Sequence, residues 1–97
     1  MLMIDKQTAR QIAYNFINSN YEIEDDECVI LDEYTISKRY GWVFFYDSRK
    51  HIETGDIGYS LLDSGPIIVE NTDGTIYVLS AEKSIQEALA DYELNRS

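Results

Sequence analysis

The chain has 97 residues and a formal net charge of −10, from eighteen acidic and eight basic side chains. That length supports one domain over residues 1–97, because so short a chain buries too modest a share of its surface for two cores. The charge repels nucleic-acid backbones and anionic membranes, and a hydrophobic share of 44% excludes wholesale disorder. Cys28 is the only cysteine, and the N-terminus shows neither a basic leader nor a membrane-length apolar run, so a cytoplasmic, reducing setting is expected.

Asp5 is placed to cap a helix with Thr8 three residues on, and Ala9, Ile12, Ala13, Phe16 and Ile17 recur at the spacing of one buried stripe. Asn18-Ser19-Asn20 ends it, since these side chains compete for backbone hydrogen bonds. An acidic stretch from Tyr21 to Glu27 leads into Cys28-Val29-Ile30-Leu31 and Glu33-Tyr34-Thr35-Ile36-Ser37, where β-branched and aromatic residues predict the first strand. The second, Trp42 to Tyr46, is apolar on both alternating faces, which suits a sheet interior. The segment from Asp47 to Ser64 is long for a loop, so a helical turn is expected there, over Ile57 to Leu62.

Gly65-Pro66 opens a hairpin of Ile67 to Glu70 and Thr75 to Leu79, in which Gly74 can take the positive φ that the turn demands. Ser84-Ile85-Gln86-Glu87 then has the form of a capping box, followed by Ile85, Ala88, Leu89 and Tyr92 on one stripe. The expected fold is α+β in the order α-β-β-β-β-α: an antiparallel sheet of about four strands, with the first and last helices packed on one face.

Glu22, Glu24, Asp25, Asp26 and Glu27, with Asp32 and Glu33 further on, form the densest charge cluster. Calcium needs several hard oxygens, but the spacing lacks the glycine and terminal glutamate of an EF-hand loop. A solvated acidic loop and a docking patch for a basic partner are the readings that remain. His51 near Ser48 and Glu53 suggests a catalytic triad, yet triads are assembled from distant residues, so an exposed or loop-anchoring histidine is the better reading. Cys28 beside Val29-Ile30-Leu31 reads as buried packing, and neither metal-ligand spacing nor a phosphate-binding glycine loop occurs around Gly55 and Gly58. No cofactor is expected. The eight tyrosines exceed what one small core needs, and tyrosine anchors protein interfaces well.

The order of Gly41-Trp42-Val43-Phe44, Glu53-Thr54-Gly55-Asp56, Leu61-Leu62 before Gly65-Pro66-Ile67-Ile68-Val69, the Asp73-Gly74 turn and the Ile85 to Tyr92 helix resembles the immunity protein 35 domain, also called the YrhB domain. The likeness runs from about Tyr40 to Glu93, and Asp63-Ser64 stands where the family often has Gly-Asn. The resemblance implies a bacterial protein that binds a toxin and prevents self-intoxication, and it implies no enzyme. Its alternative implication is a chaperone-like role under heat stress. On the immunity reading, Tyr21, Glu22, Glu24, Asp25, Asp26, Glu27 and Tyr34 are the expected partner surface for a basic toxin, with Glu53 and Asp56 second. The oligomeric state is left open.

Overall fold

Helix α1 (Lys6–Asn18) starts where the Asp5 carboxylate accepts the Thr8 N–H at 2.8 Å, in a computed structural model that describes residues 3–61 and 64–96. Ala9 and Ala13 are fully buried on its inner face, whereas Phe16, expected on the same stripe, is 42% exposed. Asn18 fastens the helix end to the next strand: its amide donates to the carbonyls of Tyr14 and Cys28 and accepts the Cys28 N–H.

The remaining elements are β1 (Cys28–Ile30), a 3-10 turn (Asp32–Tyr34), β2 (Ile36–Lys38), β3 (Gly41–Phe44), β4 (Tyr46–Ser48), α2 (Arg49–Thr54), a second 3-10 turn (Ile57–Tyr59), β5 (Ile67–Glu70), β6 (Ile76–Val78) and α3 (Ile85–Asn95). Strands β2, β3, β5 and β6 form one antiparallel sheet in that order, and β1 pairs with β4 in a separate two-stranded ribbon. The fold is therefore α+β with terminal helices, as expected, but two of the expected strands are each divided. The turn at Asp32–Tyr34 parts β1 from β2, and Phe45 parts β3 from β4, sending the chain from one sheet into the other. The Phe45 carbonyl accepts the Leu31 N–H at 2.8 Å, so the break is itself hydrogen-bonded. The expected turn over Ile57 to Leu62 exists at Ile57–Tyr59; Leu62 and Asp63 lie outside the described residues.

Strand alternation corrects the placement of the helices. Phe44, Ile67 and Val69 pack with Ala9 and Ala13 of α1, together with partly buried Trp42 and Ile76. Val43 and Ile68 point the other way and pack with Tyr40, Leu79, Ala88 and Leu89. Successive side chains in a strand face opposite sides, so α1 and α3 cover opposite faces of the sheet rather than sharing one. The reason is legible in β3 and β5: from Trp42 to Phe44 and from Ile67 to Val69 every side chain is apolar, and leaving a face bare would expose side chains worth about 1.5–3 kcal/mol each on burial.

Two glycines fix the hairpin geometry. A Cβ on Gly65 would sit 1.7 Å from the Leu79 carbonyl oxygen, so only glycine admits this backbone crossing at the hairpin base. Gly74 has φ +77° and closes the turn, donating its N–H to the Glu70 carbonyl at 2.9 Å.

Candidate partner-binding surface

The acidic stretch after α1 forms a strap lying against the N-terminus of α2. That helix is bounded by Ser48, whose Oγ accepts the His51 N–H at 3.0 Å, and by Gly55 in the left-handed conformation at φ 73°. Asp26 is the anchor: one carboxylate oxygen accepts the Tyr21 hydroxyl at 2.6 Å, and the other accepts the N–H groups of Glu27 at 2.9 Å and Lys50 at 3.0 Å. Burial pushes the Asp26 carboxyl up, but these bonds and nearby Arg49 outweigh it and hold it below its ordinary value. Burial and the bond to Asp26 push the Tyr21 phenol up to about 12.

The cations of α2 reach under the strap. Arg49 donates to the Asp25 carbonyl, Lys50 donates to the Glu24 carbonyl at 3.0 Å, and Asp25 takes the left-handed conformation, φ 59°, that short polar side chains tolerate. These contacts use backbone oxygens, so the carboxylates of Glu22, Glu24 and Asp25 face solvent with no ion pair among the described residues. Glu27 accepts the Tyr14 hydroxyl at 3.3 Å. At the other end of α2, Glu53 lies 3.6 Å from Arg49, and Asp56 caps the second 3-10 turn through the Gly58 N–H at 2.9 Å. The six-residue helix spans about 9 Å, so it joins two acidic segments that stand far apart in sequence.

Tyr34 does not join this group at close range. Along α1, Asn18 faces Cys28, Tyr14 faces Glu27 and Arg10 faces Asp32 through a two-pronged ion pair at 2.7 and 2.9 Å. The segment thus runs back along the helix as far as Asp32, and Tyr34 stands exposed in the 3-10 turn that starts there. Asp26 and Tyr21 are half-buried and carry the strap, whereas Glu22, Glu24, Asp25, Glu53 and Asp56 are exposed.

A second polar centre, missed in the sequence reading, lies beneath α2. Asp47 is buried, and its carboxylate accepts the N–H groups of Ser48 at 2.8 Å and Leu61 at 3.0 Å, with His51 Nδ1 at 2.5 Å. Burial pushes this carboxyl up, yet the three bonds win and hold it below its ordinary value. Ser48 is fully buried and caps α2, so His51 orients toward Asp47 and the Ser48-His51-Glu53 grouping forms no triad. The signal that could have found α2 is Ser48 and Gly55 bracketing six residues, an N-cap and a left-handed C-terminal stop.

On the opposite face of the sheet from α1, an open groove of about 710 Å³ runs between β6 and α3. Beside it Tyr92 meets Tyr77 edge to face and Tyr40 at a tilt, with ring centres 5.2 and 5.3 Å apart. The Tyr92 hydroxyl and the Arg96 guanidinium both bond Glu70, and Arg96 holds the Glu70 carboxyl below its ordinary value. Burial and their bonds to Glu93 and Glu70 push the Tyr40 and Tyr92 phenols up. No grouping of three or more His, Cys, Asp or Glu side chains suited to a metal ion occurs among the described residues, and no described helix is long and apolar enough to cross a membrane.

The family model for immunity protein 35 matches residues 7–93, so the chain belongs to that family, and the match takes in α1 as well as the sheet and α3. The chain is similar to "Uncharacterized protein YrhB" of Escherichia coli (strain K12), with 30% identity over 84 residues that cover 84% of this chain and 87% of the relative. No solved structure matches it.

Proposed function

We propose that this protein binds and neutralises a cognate toxin through the acidic, tyrosine-bearing end formed by the strap and α2, and that it acts in the cytoplasm without catalysis. Family membership supports the general role. The observation that carries the finer reading is that α2 turns Arg49 and Lys50 onto the strap's carbonyls, leaving the Glu22, Glu24 and Asp25 carboxylates free for a partner. Negative potential of this kind speeds encounter with a basic surface, and desolvated tyrosine contacts slow dissociation.

The test is calorimetric titration of the protein against the product of its neighbouring toxin gene. Glu22→Gln, Glu24→Gln and Asp25→Asn are combined, because none of these side chains supports the fold. Affinity falls by about tenfold or more at low salt, with a shallower salt dependence. Undiminished binding sinks the acidic surface, while suppression of heat aggregation across unrelated clients, with no toxin binding, points to a chaperone.

A further inference from the structure

Independently of the acidic end, we propose that β6 is a self-pairing edge: two copies of this chain join β6 to β6, antiparallel, about a two-fold axis through Tyr77. Each four-stranded sheet ends at β6, and the hydrogen bonds of the hairpin show which groups are left over. Leu79 donates to the Pro66 carbonyl and Glu70 to the Thr75 carbonyl, so residues 75, 77 and 79 bond inward to β5. Ile76 and Val78 therefore turn their N–H and C=O groups to the open edge, and no described residue meets them. That set is self-complementary. With Tyr77 opposite Tyr77 of the second copy, each Ile76 faces a Val78 and exchanges both bonds with it.

The side chains and charges fit the same occupant. Val78 is 61% exposed and Tyr77 45%, and pairing covers the first with Ile76 of the second copy and sets the two tyrosines side by side. The other edge, β2, ends in Lys38, a charge of the kind that guards sheet edges, whereas β6 has no charged residue. Two chains of charge −10 repel one another, so they can meet only at a locally neutral surface. The groove beside β6 is one: Lys83 is paired with Asp91 and Arg96 with Glu70.

The register makes the proposal testable by crosslinking. Opposed residues at a non-hydrogen-bonded position have Cα atoms about 4.5 Å apart, within disulfide reach, whereas the two Val78 residues are diagonal at roughly 7–8 Å. Under glutathione oxidation, Tyr77→Cys gives a covalent dimer in at least about tenfold higher yield than Val78→Cys. Wild-type protein gives none, because Cys28 is buried with its thiol pushed up to about 11. In sedimentation equilibrium the wild type dimerises with rising concentration, and added salt tightens the dimer by screening repulsion. Val78→Asp, at a site exposed enough to leave the monomer's thermal midpoint unchanged at dilutions where the dimer dissociates, weakens dimerisation by about tenfold or more. Monomer at every concentration up to about 1 mM, equal crosslinking at both positions, a dimer untouched by Val78→Asp, or one that salt loosens would each overturn the proposal.

Discussion

Replacing Asp47 with alanine removes the anchor shared by three segments of the fold. Its carboxylate holds the Ser48 N–H at the end of β4, the Leu61 N–H of the long loop, and the imidazole of His51 on α2. Asp47 and Ser48 are buried and Leu61 is partly so, which limits how far the two N–H groups can turn to water while the structure stays closed. An orphaned buried donor costs about 1–3 kcal/mol, and a bond to a charged acceptor is stronger than a neutral one. The sum is about 3–5 kcal/mol, a large part of the roughly 5–15 kcal/mol that a domain of this size has in total. Asp47→Asn keeps the shape and can still accept both N–H groups, so it loses only the charge-assisted part, about 1–2 kcal/mol. Urea unfolding followed by circular dichroism measures both. Because the folded carboxyl lies below its ordinary value, its contribution is complete above about pH 4 and fades as pH falls through the folded value; Asp47→Asn flattens that acid limb. A cost below about 1 kcal/mol for Asp47→Ala, or an acid limb unchanged in Asp47→Asn, would refute the assignment of Asp47 as the shared anchor.

Gly65→Ala drives a methyl group into the Leu79 carbonyl, which is backbone and cannot swing aside, so the hairpin base must shift; the expected loss is about 3 kcal/mol or more in the same unfolding assay. A change under about 1 kcal/mol contradicts the close approach. The Cys28 thiol is pushed up, first by burial and then by Asp26 and Asp47, to about 11, so Ellman's reagent at pH 8 should label native protein only as fast as it unfolds. Prompt labelling would place the thiol at the surface.

Much of the architecture is local and therefore legible. Asp5 and Ser84 cap their helices through the N–H groups of Thr8 and Glu87, although Glu87 returns its carboxylate to the Ser84 hydroxyl rather than to a backbone N–H. Gly74 turns the hairpin as its freedom at positive φ requires. The acidic residues of the candidate surface were equally plain, since charge is a property of composition. What could not be read was which of them work inward. Asp26 and Glu22 look alike in the chain, yet one holds a tyrosine and two backbone N–H groups while the other faces water.

By itself, then, the order of residues determined the class of fold, the helix ends, the tight turn and an acidic surface charge, because each depends on neighbours within a few positions. Tertiary structure decided the rest. It divided Cys28 to Ser37 and Trp42 to Tyr46 between two sheets, put the terminal helices on opposite faces, and tied the N-terminus of α2 to the strap, with Glu53 and Asp56 toward the other end of that helix. Those outcomes rest on pairings between residues distant in the chain, such as Lys50 with Asp26 and Leu31 with Phe45, whose energies appear only once both partners are in place.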